Sequence, residues 1–160
     1  MRVLSVDPGV TSGICYASIR DGRLRYFPFQ AVDDVDEFWN RIAEFKPKHI
    51  VMESFEFRNT PHRRTGTNLF PVQLIGIARL YTFRSECMIH LQSPGQGKGY
   101  YTDNMLKQLG LYKRGIPHGT DAARHLLHWA TFGFGHQFVD PLNREFATRL
   151  ESWIVDSLIK

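Results

Sequence analysis

VLSVDPGVTSG, residues 3–13, is the stretch on which the reading of this chain turns. Val3, Leu4 and Val6 give a short apolar run of strand character. Pro8 and Gly9 suit the central positions of a type II turn, which places Asp7 first in that turn. A carboxylate at the carboxyl end of a buried strand is either turn chemistry alone or one half of a metal site. The residues further along have to choose.

Outward from that stretch, GICYASI (13–19) predicts a second strand and RDGR (20–23) carries an Asp-Gly hairpin signal. Leu24 to Phe29 returns as a third strand. A helix is expected from Asp34 to Phe45, with Val35, Phe38, Trp39, Ile42 and Phe45 on one face and Pro47 ending it. KHIVMES (48–54) reads as a fourth strand, short and apolar enough for the middle of a parallel sheet. Phe55 to Thr67 is a polar, basic loop, followed by a helix over Leu69 to Ser85 with Pro71 in its first turn. CMIHLQ (87–92) predicts a fifth strand, SPGQGKG (93–99) a loop, and Asp103 to Leu109 a short helix. A helix from His118 to Phe132 follows. Asp140 and Pro141 then open a closing helix whose stripe is Leu142, Phe146, Leu150, Trp153, Ile154 and Leu158. Strand-helix-strand crossovers make the fourth strand parallel to a neighbour. The expectation is an α/β fold: a mixed five-stranded sheet, three strands in a meander plus parallel strands, with helices on both faces. It fills a single domain over 1–160.

The composition restricts the class. At 160 residues, 42% hydrophobic and 22% charged, the chain can bury a core. It has no membrane-spanning apolar run and no signal pattern, so a soluble, cytoplasmic protein without a membrane partner is expected. Cys15 and Cys87 lack the spacing of a disulfide framework or a zinc site. The net charge of +4 is unevenly spread: 57–85 contains no acid but holds Arg58, Arg63, Arg64, Arg79 and Arg84. Lys98 sits in a second acid-free stretch, and Lys107 and Lys113 follow it. These basic residues are candidates for nucleic-acid phosphates. The acids of DDVDEFW (33–39) have a local explanation, since carboxylates favour a helix N-terminus.

Glu53 ends the fourth strand much as Asp7 ends the first, and ligands in such sheets bind at the carboxyl ends of parallel strands. Were these strands neighbours, the two carboxylates would repel unless a cation joined them. PHGTDAARHLLHWA (117–130) adds to this. His118 and Asp121, three apart, share a helical face, with His125 and His128 on the same side. His125 is expected as a partly buried, hydrogen-bonded side chain or a phosphate contact, His128 as structural, and Glu56 as part of the loop's charge balance. Oxygen ligands with an imidazole suit Mg²⁺ or Mn²⁺. Three carboxylates and a histidine holding two ions about 4 Å apart form a recurrent device for phosphodiester cleavage.

VLSVDPGVTSGICYA, HIVMESFEF and HGTDAARHLLHW, in that order and spacing, resemble the RuvC-type Holliday junction resolvases of the RNase H-like superfamily. The likeness spans about residues 1 to 135. It implies an RNase H-like nuclease domain with metal and catalytic positions at Asp7, Glu53, His118 and Asp121. It also implies two Mg²⁺ or Mn²⁺ ions per site, and a homodimer that nicks a four-way DNA junction in pairs. Family members carry an aromatic residue after the second acid that helps open the junction, and here Phe55 and Phe57 both qualify. The RNTPHRRTG loop (58–66) looks more like that of the shorter phage relatives, which leaves open a broader branched-DNA or flap nuclease. A junction-binding protein without nuclease activity is the rival from another class. DPGVTSG also resembles the phosphate loop of actin-like ATPases, but those need two lobes and no second copy is present. The second helix, with Leu74, Ile75, Ala78, Leu80 and Phe83, is the candidate dimer surface, packing on the sheet being the alternative.

Overall fold

A computed structural model of the chain describes residues 1–20, 23–30, 34–56 and 69–133. Its five strands are β1 (Arg2–Asp7), β2 (Gly13–Arg20), β3 (Arg23–Gln30), β4 (His49–Glu53) and β5 (Met88–Gln92). They form one sheet in the order β3-β2-β1-β4-β5. β1, β2 and β3 pair antiparallel, whereas β4 pairs parallel with both β1 and β5. This is the expected mixed sheet with its meander. The turn of the expected hairpin at residues 21 and 22 lies outside the described residues, as do the loop from 57 to 68 and the closing helix.

Alternation along the strands divides the core in two. Val3 and Val51 point to one face with Cys15, Ala17 and Ile19, and Leu4, Val6, Ile14, Ile50 and Met52 point to the other. Helix α1 (Val35–Phe45) and helix α2 (Phe70–Arg84) cover the second face through Phe38, Ile42, Leu74 and Ala78. Asp34 caps α1, accepting from the Asp36 backbone N–H at 3.0 Å, and Lys46 ends it in the left-handed conformation. Asp34, Asp36 and Glu37 thus sit at the helix N-terminus, as their local explanation required.

The first face receives α3 (Pro94–Tyr100), α4 (Asp103–Gln108) and α5 (Pro117–His128), the last continuing as a π-helical turn over Trp129–Gly133. Small residues let α5 lie close to the strands: Ala122 and Ala123 are fully buried, and Ser5 donates its hydroxyl to the Ala122 carbonyl at 2.7 Å. Gly13 is the tightest point. A Cβ there would sit 1.9 Å from the His118 carbonyl oxygen, so only glycine admits the first turn of α5.

Two local expectations are corrected. Gly9 does not adopt the positive φ that a type II turn demands at its third residue; among the described glycines only Gly110 and Gly115 do. Instead the Ser12 hydroxyl donates to the Gly9 carbonyl at 3.3 Å, closing the loop through a side chain. The 93–99 segment is a helix rather than a loop. Pro94 starts it, and the Gln96 side chain accepts from the Ser93 backbone N–H at 2.6 Å.

Candidate metal centre

β1 and β4 run side by side, with Val6 opposite Met52, so Asp7 and Glu53 come next on each strand. Both have the parity of Val3 and Val51, and so both face α5. Gln92 joins them from β5, where it pairs with Glu53. From above, α5 contributes His118, Asp121 and His125. The sheet thus supplies two carboxylates at depth and the helix completes the group. Of the two origins open for Asp7, turn or site, the structure gives it a place among acids.

The polar contacts are dense. His118 Nδ1 lies 3.0 Å from Asp7 Oδ2, and His125 Nε2 lies 2.9 Å from Glu53 Oε2. His125 Nδ1 is 2.8 Å from Gln92 Oε1, and the ring is wholly buried. Lys98, on α3, reaches into the group, its Nζ 3.0 Å from Asp121 Oδ2 and 3.8 Å from Glu53 Oε2. Arg124 pairs with Asp121 and with Asp103, and its Nε donates to the Tyr101 carbonyl at 2.9 Å. Asp121 therefore has two cationic partners, whereas Asp7 has an imidazole.

This environment splits the two strand carboxylates. Burial, then the charge of Glu53, raises the pKa of Asp7 above its ordinary value, and the His118 bond offsets this only in part. Burial works against ionisation of Glu53 also. There the His125 bond and the Lys98 charge together outweigh it, and its pKa falls below the ordinary value. Two neighbouring acids, one burdened and one relieved, are what a shared cation would serve.

One ligand atom from each of Asp7, Glu53 and His125 fits within 4.8 Å of the others. Oxygen donors with an imidazole match Mg²⁺ or Mn²⁺, so the residues present fit such an ion. Of the four positions expected from the sequence, Asp7 and Glu53 adjoin, His118 contacts Asp7, and Asp121 connects through Lys98. Lys98, expected on a DNA-holding surface, lies in the acid cluster itself. Lys107 stacks over the Tyr112 ring at 4.7 Å, and Lys113 lines a pocket of about 380 Å³ beside Asp121 and Arg124. Phe55 is half-buried; Phe57, Arg58, Arg63 and Arg64 lie outside the described residues. Gln92 and Arg124 were not foreseen. Asp121-x-x-Arg124 is a helical i,i+3 pair that the sequence does display, whereas nothing in sequence ties Gln92 to His125.

No family model and no curated protein matches the chain. Solved structures do. The RuvC of T. thermophilus in complex with a Holliday junction substrate superposes with a TM-score of 0.61 at 15% identity, over 85% of this chain and 98% of that one. A second Thermus thermophilus RuvC structure gives 0.59 at 18%, over 83% and 95%. The yeast mitochondrial Holliday junction resolvase gives 0.57 at 14%, over 95% and 84%. The mixed sheet, the helices on both faces and these superpositions agree: the chain has the RNase H-like fold of the RuvC-type resolvases.

Proposed function

We propose that this protein is a divalent-metal-dependent endonuclease that resolves four-way DNA junctions by paired phosphodiester nicks. One observation carries the proposal: Asp7 and Glu53 end adjacent parallel strands, and α5 brings His118 and Asp121 over them. The fold supports it, because a structural neighbour is a RuvC bound to a Holliday junction substrate.

Asp7, Glu53, His118 and Asp121 would hold two Mg²⁺ or Mn²⁺ ions. Such ions, when bound, supply the charge that activates a water and stabilises the departing 3′-oxygen. The remaining work belongs to the chain. Asp7 and Glu53 hold negative charge at depth, and Lys98 balances it from α3. His118, more exposed than Asp7, keeps that carboxylate hydrogen-bonded. Lys107, Lys113 and the arginines of the 57–85 stretch would meet the flanking phosphates, and Phe55 or Phe57 would stack at the crossover.

Paired nicks require two sites, hence a homodimer. The second helix divides its apolar residues: Leu74 and Ala78 pack on the sheet, contrary to their place in the expected dimer face, while Leu80 and Phe83 stay exposed with Val72 and Leu69. Phe83 is 89% exposed. That row of apolar side chains is the surface we assign to the second copy.

The deciding experiment incubates the protein with an end-labelled four-way junction, a flap and a linear duplex, in Mg²⁺ and in Ca²⁺. Symmetric nicking of the junction in Mg²⁺ is expected. Equal cutting of the flap would make the protein a broader branched-DNA nuclease. Binding without nicking in either ion would leave only a junction-binding module.

A further inference from the structure

We infer that His125 is a metal ligand of this site, a fifth one beyond the four positions that the family resemblance supplies. The inference rests on the metal centre proposed above and on three features of the imidazole. Its Nδ1 lies 2.8 Å from Gln92 Oε1, an acceptor that suits a ring carrying its proton on Nδ1. Its Nε2 points to Glu53 Oε2, 2.9 Å away, and is the nitrogen that can face an ion held by that carboxylate. Without an ion a hydrogen bond joins that nitrogen to the carboxylate, and a bound cation would take the place of its proton.

The spacing suits such an ion. Neighbouring ligands of an octahedral ion with bonds of about 2.0–2.1 Å lie about 2.9 Å apart. A histidine that donates one ring N–H to an oxygen while presenting the other nitrogen to the metal is the usual arrangement, because the outer bond fixes tautomer and ring plane. The ring also has no room to turn. It is fully buried, and a Cβ on Gly97 of α3 would come within 3.1 Å of His125 Nδ1. Of the three residues whose ligand atoms converge, Asp7 and Glu53 were foreseen as metal-binding and His125 was not. A nitrogen donor at this depth shifts the centre from Mg²⁺ toward Mn²⁺.

Manganese itself is the probe. Mn²⁺ is titrated into the full-length protein and nitrogen coupling is read by pulsed electron paramagnetic resonance, with affinity from calorimetry. His118→Asp removes the other candidate nitrogen while keeping a ligand. In that variant a ¹⁴N coupling is expected to persist, and in His118→Asp/His125→Gln it should vanish. Gln92→Leu keeps the buried ring and frees only its Nδ1, so it serves where His125→Gln does not fold. The expected result is a 10- to 100-fold loss of Mn²⁺ affinity, as for other outer partners of metal-bound histidines. Loss of all ¹⁴N coupling in His118→Asp, or unchanged affinity in Gln92→Leu, overturns the inference and leaves the nuclease proposal standing. Failure of the wild-type protein to bind Mn²⁺ at millimolar concentration overturns both.

Discussion

Asp7 and Asp121 carry the same carboxylate in opposite circumstances, and their substitutions should separate accordingly. Asp7 is buried beside Glu53 and its pKa is raised, so Asp7→Asn removes a charge the fold tolerates poorly. The melting temperature in EDTA should hold or rise, the amide oxygen still accepting from His118. Asp121 instead balances Lys98 and Arg124, and Asp121→Asn should cost about 1–3 kcal/mol by leaving Arg124 short of a partner. Both changes should lower junction cleavage by several orders of magnitude, with binding in Ca²⁺ retained. Near wild-type nicking by either variant would return Asp7 to a residue that merely begins a loop. That Asp7, Glu53, His118 and Asp121 gather at one end of the sheet was legible because each stands in a short motif at a strand end or helix start. Gln92 was not, because only the folded chain brings it to His125, whereas the Arg124 signal, three residues after Asp121, was present and passed over.

At the scale of elements, α5 and the strands beneath it carry two further expectations. Gly13 pairs with Asp7 across β1 and β2 and lies under the His118 carbonyl. Gly13→Ala would drive a methyl group into that backbone, so a loss of about 3 kcal/mol or more is expected, together with weakened Mn²⁺ binding, as α5 lifts. Equal stability of the two proteins in urea would show that α5 does not rest there. At the other end of the sheet, His49 lies beside His90 and under Trp129. Burial, then the neighbouring His90, lowers the His49 pKa to about 4. The unfolded chain, with its ordinary value near 6.5, therefore binds the proton first. Stability present above about pH 6.5 should decline as pH falls toward 4, at up to about 1.4 kcal/mol per pH unit for this one group. His49→Gln should flatten that slope in thermal melts between pH 7 and 5. The strand and helix order was readable from hydrophobic period, and the misread segment is instructive. Gly95, Gly97 and Gly99 argued for a loop at 93–99, whereas Gly97 is there to let α3 close on His125. Pro94 and the Ser93–Gln96 pair were the helix-start signals that the glycines masked.

For the whole molecule, association is the testable quantity. Replacing Leu80 and Phe83 with Glu should shift a dimer to monomer in sedimentation while leaving the fold's circular dichroism intact, since neither side chain is buried. A monomer should nick one strand of a junction without the paired second cut. Replacing Arg58, Arg63 and Arg64 with Ala should lower the slope of log affinity against log salt by about 0.9 for each phosphate no longer neutralised. An unchanged slope would place that loop away from DNA. One bond sets the scale of the centre as a whole. Ser5 precedes Asp7 by two residues and holds the Ala122 carbonyl of the helix that bears His118, Asp121 and His125. A single strand thus both carries the deepest acid and fixes the height of the three residues above it. The arrangement resembles a machinist's jig, in which one edge locates every part. A displacement of β1 is therefore expected to carry the α5 side chains with it through that bond.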